Sequence, residues 1–214
     1  MPAIAKICGL STPETVRAAL DGGAGYLGFV FFERSPRYLT PETAARLAEA
    51  ARGKGVKVVA VLVDPDDALL ESLRETLRPD LIQLHGKETP SRVWEAAIKA
   101  NAGAVKAIAV TSAADIDAAA QYEAITEHLM FDARAPAGSG TPGGVGATFD
   151  WTLLSGRRFA RPWFLAGGLD PWNVTEAIAA SGAPMVDVSS GVERGAGLKD
   201  PGLISAFLDA VRRA

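Results

Sequence analysis

Along this chain short apolar runs alternate with turns and amphipathic stretches. The runs occupy residues 3–8, 26–32, 57–63, 81–84, 105–110, 129–132, 163–166 and 185–189, and are rich in Val, Ile, Leu and Phe. Runs of this length read as strands covered on both faces. Between them stand helix-start signals of one kind: Thr12-Pro13, Thr40-Pro41, Asp64-Pro65, Thr89-Pro90, Asp170-Pro171 and Asp200-Pro201. In each, a Thr or Asp oxygen is placed to accept from an orphan backbone N–H. Proline then fits the first helical position, where its missing donor costs nothing. The last segment shows the helical period directly, with Leu203, Phe207 and Val211 in one row and Ile204 and Leu208 beside it.

Strand and helix in alternation predict an α/β protein with a parallel sheet. Spreading 214 residues over eight units leaves about 27 for each, room for a strand, a helix and two short loops. A single closed (β/α)8 barrel over residues 1–214 is the economical arrangement, because an open sheet would leave edges and need a switch point. The helices should be short and the decoration sparse. A doubly wound sheet is the structural alternative.

Composition narrows the class. The chain carries 22 Lys plus Arg against 25 Asp plus Glu, a formal net charge of −3. A weakly acidic chain makes a poor sequence-independent binder of nucleic acid or anionic membrane. A single cysteine rules out an internal disulfide, and the sequence holds no Cys/His cluster of the kind that binds zinc. The opening MPAIAKICGL is too short and interrupted to read as a signal peptide, and no apolar run reaches the ~18 residues that span a bilayer. The expectation is a soluble, cytoplasmic protein.

In a barrel of this kind reactive groups gather at the carboxyl ends of the strands. Cys8 ends the first strand; it is either a small buried hydrophobe or a base or nucleophile, the latter if cationic neighbours lower its pKa. Asp132 ends the sixth. A capping role is weakened there because Ala133-Arg134-Ala135-Pro136 follows, so a pocket carboxylate is the preferred reading. Arg37, in Ser35-Pro36-Arg37-Tyr38, is a solvated surface charge or a two-bond grip on a substrate carboxylate. His85, ending the fourth strand, is a polar pocket wall or a satisfied structural histidine. Asp187 shares its side of the eighth strand with Ser189. If the barrel closes, it lies beside Cys8 or pairs with Lys6, which has the parity of Cys8.

Three glycine-rich segments suggest a phosphate. Gly167-Gly168 and Ser189-Ser190-Gly191 end strands seven and eight, where loops commonly offer N–H groups to a phosphoryl dianion. The third, 138–146, holds five glycines in nine residues and reads as a flexible loop or a lid. Its G-x-G-x-x-G match is incidental: it does not follow its strand directly, contains Pro142, and has no acidic residue about 20 positions on. No Gly-Lys-Ser/Thr triplet exists, so a P-loop is absent as well.

Taken in order, several segments resemble one family over nearly the whole chain, the phosphoribosylanthranilate isomerases of tryptophan biosynthesis. They are Lys6-Ile7-Cys8-Gly9-Leu10, Gly28-Phe29-Val30-Phe31 with Ser35-Pro36-Arg37, Gln83-Leu84-His85-Gly86, and Asp132. They continue with Gly143-Gly144-Val145-Gly146 leading to Phe149-Asp150-Trp151, then Leu165-Ala166-Gly167-Gly168-Leu169, and Val186-Asp187-Val188-Ser189-Ser190-Gly191-Val192-Glu193. The resemblance implies an Amadori rearrangement of an N-linked aminoaldose to an aminoketose, with Asp132 as general acid and Cys8 as general base. It gives Arg37 the anthranilate carboxylate, and His85 and Asp187 places in the substrate pocket. The backbone around Gly144, Gly146, Gly167, Gly168, Ser189, Ser190 and Gly191 would hold the ribose phosphate. Ala147 stands where the family often has Lys or Gln, and the loop from Asp132 to Gly143 is longer than usual. No metal or organic cofactor is implied, and the expected partner is phosphoribosylanthranilate alone, on a monomer or homodimer. Three other readings are weighed against this one. They are the histidine-pathway isomerase, which has an aspartate ending strand one; a metal-dependent epimerase, for which His85 and His128 are too few ligands; and a non-catalytic sugar-phosphate-binding barrel.

Overall fold

Eight parallel strands close into a ring in sequence order, β1 pairing with both β2 and β8. The computed structural model describes residues 3–134, 143 and 146–214. The strands are β1 (Ile4–Cys8), β2 (Tyr26–Val30), β3 (Lys57–Leu62), β4 (Leu81–Leu84), β5 (Gly103–Val110), β6 (His128–Ala133), β7 (Trp163–Leu165) and β8 (Met185–Val188). Each coincides with one of the apolar runs to within two residues at either end. The helices are α1 (Pro13–Asp21), α2 (Pro41–Ala48), α3 (Asp67–Thr76), α4 (Pro90–Ala100), α5 (Ala113–Asp117), α6 (Val174–Ser181) and α7 (Pro201–Arg213). The closed ring excludes the doubly wound alternative.

Four of the six cap signals act as read. Thr12, Thr40, Thr89 and Asp200 accept from the amides of Thr15, Thr43, Arg92 and Leu203, each with proline in the first turn. The other two are corrected. Asp64 has φ +44°, a left-handed backbone in place of the extended one an N-cap adopts, and α3 is capped two residues later by Asp66. Asp170 accepts from the amides of Trp172 and Asn173, closing a turn that delays α6 until Val174. Two further features were not anticipated. Between β6 and β7 the described residues contain a single 3-10 turn, Trp151–Leu154, in place of a helix. Between β8 and α7 an antiparallel hairpin intervenes, β9 (Glu193–Gly195) with β10 (Leu198–Lys199).

The two-residue period of the strands sorts side chains into two cores. One set faces the helices, around Ile7, Leu27, Phe29, Ile82, Phe131 and Val186. The other fills the lower lumen with Val59, Leu81, Val105, Met130, Phe164 and Met185, and Tyr26 packs against it. Above that apolar plug the lumen changes character. Lys6, Cys8, Gln83, Asp132 and Asp187 share the inward parity and are buried. The plug closes one end of the barrel and the polar layer forms the floor of the other. Among the described residues no helix is long and apolar enough to cross a membrane.

Candidate active site

A cavity of about 790 Å³, counted out to its open mouth, lies over that polar layer at the carboxyl ends of the strands. Its walls include Cys8, Arg37, His85, Asp132, Asp187, Gly146, Gly167, Gly168, Ser189 and Ser190, so ten of the twelve residues singled out in the sequence converge there. Gly191 lines an adjoining groove that shares Arg37, Gly146, Gly168 and Ser190 with the cavity. Gly144 lies outside the described residues. The volume is in the range of small-ligand sites.

Cys8 ends β1 over a buried ion pair. Lys6 Nζ donates to Asp187 Oδ1 at 2.8 Å, the pairing that strand parity and ring closure allowed. Gly28, opposite Cys8 on β2, makes room for this group: a Cβ there would sit 3.0 Å from Lys6 Nζ and 3.2 Å from Cys8 Sγ. Cationic neighbours are present as the sequence reading required, but they do not prevail over burial. Burial pushes the Cys8 thiol above its usual pKa; Lys6 and Lys199 pull it down and Asp187 pushes it up again. For Lys6 the balance is reversed. Burial disfavours its charge, and Asp187 together with Cys8 more than compensates, so the ammonium is held.

Asp132 sits across the lumen, three strands from Cys8 round the ring by way of β8 and β7. It is not a cap. Its Oδ2 lies 3.0 Å from His85 Nε2, without the alignment of a hydrogen bond. Gln83 Nε2 stands 3.3 Å from His85 Nδ1. With the amide nitrogen donating there, Nδ1 accepts and the ring N–H lies on Nε2, facing the carboxylate. Backbone closes in from the other side. Gly167 has φ +90°, and a Cβ there would lie 2.9 Å from Asp132 Oδ1 and 2.5 Å from the Ala133 nitrogen. Only glycine fits that position.

Arg37 is buried at the cavity rim, not solvated. Its Nε and Nη2 donate to the two oxygens of Glu193 at 2.7 and 2.8 Å. Lys199 contacts the same carboxylate and donates to the Ser189 carbonyl at 3.1 Å. The Ser189 hydroxyl donates in turn to the Cys8 carbonyl at 3.3 Å. Burial pushes Glu193 up, but Arg37 and Lys199 together outweigh it and hold the carboxyl below its usual range. Lys199 is held below its usual pKa, because burial outweighs Glu193. Sequence reading missed both roles. In the sequence Glu193 only closes a motif, and Lys199 directly precedes a helix cap. The available signal is Gly195-Ala196-Gly197 between two short flanks, a turn that predicts a hairpin.

Ser190 begins a 3-10 turn, Ser190–Val192, at the end of β8. Gly191 within it packs against the Leu169 carbonyl, to which a Cβ would come within 1.9 Å. The loops after β7 and β8 are thereby locked together beside Gly146 and Gly168, and their backbone forms one rim of the cavity. Among the described residues no group of three or more His, Cys, Asp or Glu side chains is arranged to hold a metal ion.

The chain resembles known proteins over nearly its full length. The profile of the family described as N-(5'phosphoribosyl)anthranilate (PRA) isomerase matches residues 5–210. A protein of Caulobacter vibrioides named N-(5'-phosphoribosyl)anthranilate isomerase is 69% identical over 210 residues, covering 98% of this chain and 96% of that one. The crystal structure of phosphoribosyl anthranilate isomerase from Thermotoga maritima superposes with a TM-score of 0.84 at 32% identity, over 99% of this chain and 100% of the other. A second isomerase structure, in complex with reduced 1-(o-carboxyphenylamino)-1-deoxyribulose 5-phosphate, gives the same TM-score and coverage at 30% identity.

Proposed function

The chain belongs to the N-(5'-phosphoribosyl)anthranilate isomerase family, and from that premise we propose that Cys8 and Asp132 are the base and the acid of its reaction. The protein is an isomerase of tryptophan biosynthesis that converts phosphoribosylanthranilate to 1-(2-carboxyphenylamino)-1-deoxyribulose 5-phosphate. The rearrangement needs two proton transfers on opposite sides of one sugar. A donor must protonate the ring oxygen so that the C1–O bond breaks and the anilino nitrogen becomes an iminium. An acceptor must then take the proton from C2, whose electrons flow toward that iminium to give an enolamine, which tautomerises to the ketone.

The observation that carries the assignment is the single cavity with Cys8 on one wall and Asp132 on the other. Asp132 in its carboxyl form donates to the ring oxygen. Cys8 accepts from C2, and the iminium formed beside it supplies the positive charge that eases ionisation of a thiol raised by burial. Arg37 takes the anthranilate carboxylate, and His85 and Asp187 line the pocket around the sugar. Gly144, Gly146, Gly167, Gly168, Ser189, Ser190 and Gly191 offer backbone to the phosphate, as loops after strands seven and eight of such barrels commonly do. We read residues 1–214 as one catalytic domain of a cytoplasmic enzyme, monomer or homodimer, that works without a metal or organic cofactor.

Steady-state kinetics of Cys8→Ala and Asp132→Asn test the assignment. Each is expected to cut kcat by about 10²–10⁴-fold with the fold intact by circular dichroism. Near-parental turnover in either variant removes that residue from its role.

A further inference from the structure

We propose that Glu193, held by Lys199, is a positioning residue that mounts Arg37 for the substrate carboxylate, and that the β9–β10 hairpin is the mount. The inference rests on the reading of Arg37 as the carboxylate-binding residue and adds what holds it.

Arg37 is fixed along its whole length. Its stem lies on Gly9, where a Cβ would come within 2.5 Å of Arg37 Cδ. Its head is taken by both oxygens of Glu193. Glu193 is fixed in turn, since its Oε2 also accepts from the Gly197 amide at 3.1 Å and its Oε1 meets Lys199. Gly197 packs on the Pro36 carbonyl, to which a Cβ would come within 2.6 Å, so the hairpin grips the residue before Arg37 as well. The Lys199 side chain is wholly inaccessible.

Two consequences bear on the substrate. Glu193 takes the Nε–Nη2 edge of the guanidinium, so that edge is not offered to a substrate carboxylate and the orientation of the head is set before binding. Two cations also share one carboxylate here, while Lys6 and Asp187 balance each other. Arg37, Lys199 and Glu193 together carry a formal net positive charge, suited to a carboxylate. An arginine ordered in advance spares the substrate the loss of rotamer freedom that a mobile one would impose at each encounter.

The test is steady-state kinetics of full-length Glu193→Gln, Arg37→Ala and the double variant. Each is assayed on phosphoribosylanthranilate and on N-phosphoribosylaniline, which lacks the carboxylate. Glu193→Gln should raise KM for the carboxylate substrate about tenfold and leave kcat within about threefold. KM for the aniline compound should not move. The double variant should bind no worse than Arg37→Ala alone, because Glu193 acts through Arg37. A KM within twofold of parental in Glu193→Gln, with Arg37→Ala impaired, overturns the mounting and leaves the Arg37 reading standing. An unmoved KM in Arg37→Ala overturns that reading and the mounting with it. Equal damage on both substrates marks Glu193 as structural and overturns the proposal. Should Glu193→Gln fail to fold, nitrogen-detected NMR of the parental protein decides. The Arg37 Nε–H should exchange with solvent far more slowly than that of exposed Arg34, and equal exchange overturns the proposal.

Discussion

Two buried lysine–carboxylate pairs lie on opposite faces of one barrel wall. Lys6 and Asp187, 2.8 Å apart, face the lumen; Lys106 and Glu88, 2.7 Å apart, face the helices. All four side chains are less than a tenth exposed, so each charge has lost most of its hydration and needs its partner. Their surroundings differ. Lys106 also donates to the carbonyls of Leu84 and Gly86 at 3.2 and 2.8 Å, and Glu88 accepts from the amides of Asp64 and Gly86. That pair is a clasp between strand ends and loops, its hydrogen bonds directed to backbone. Lys6 instead sits against the Cys8 thiol. The same two side-chain types make a fastening on one face and an electrostatic control on the other, and what decides is whether backbone or a reactive group completes the shell.

The largest effect expected from breaking this contrast is on folding. Lys106→Met leaves Glu88 charged and buried and two carbonyls short of a donor, which should cost about 3–5 kcal/mol. The measurement is a fall in the urea midpoint at unchanged slope. Lys6→Met should lose less, because Asp187 borders the open cavity and water can reach it. If Lys6→Met is the more damaged of the two, the clasp reading of Lys106 fails.

Which of these features the sequence revealed follows from the range of the interaction. Lys6 and Asp187 were readable as a pair because parity along a strand is a local rule and ring closure makes strands one and eight neighbours. Cys8 and Asp132 were readable because strand ends in such a barrel face one mouth. Lys106 and Glu88 were not, since their meeting depends on the path of the loop after β4, which no local period encodes. Gly195-Ala196-Gly197 announces a turn, but where the Glu193 and Lys199 side chains fall was hidden in the same way. A hairpin of three and two residues leaves almost no alternation to read. The same Asp-Pro signal capped α7 but missed α3 and α6, because a left-handed Asp64 and a turn closed by Asp170 use the dipeptide differently. Local chemistry announces that a turn begins and leaves open which residue takes the first helical N–H.

A second measurement sharpens the contrast at the thiol. Of the charges around Cys8, Lys6 acts most strongly and favours the thiolate, while Asp187 opposes it more weakly. Lys6→Met removes the stronger of the two, so the thiol should titrate at higher pH than in the parent, whether or not Asp187 then takes up a proton. Cys8 is the sole cysteine, so thiolate absorbance against pH reports it alone. The base limb of the kcat/KM profile should move the same way. Lys106→Met, on the far face of the wall, should leave the thiol curve in place. A curve displaced equally by both variants would mean that the shift comes from loosened packing and not from charge.

The smallest effect lies at the other end of the lumen, where a titratable group is half-buried and its neighbouring carboxylate is too weak to hold its charge. His128 Nε2 is 3.3 Å from the Tyr26 hydroxyl, and the ring lies 5.5 Å from Phe164 between centroids. Burial holds the imidazole below its usual pKa, and Glu127 pulls the other way without prevailing. The sign follows from proton binding. As pH falls through about 6.5 the unfolded chain takes up a proton on His128 that the folded chain resists, so stability present above that pH is lost below it. Every other titratable group is common to the parent and a variant at His128, so the difference between two slopes isolates the group. Between pH 7.5 and 5.5 the parent should lose more urea stability than His128→Gln does. Parallel slopes would show that His128 charges without cost. The lower lumen would then admit water as the mouth does, and the division of this barrel into an aromatic floor and an ionic layer above it would not hold at that position.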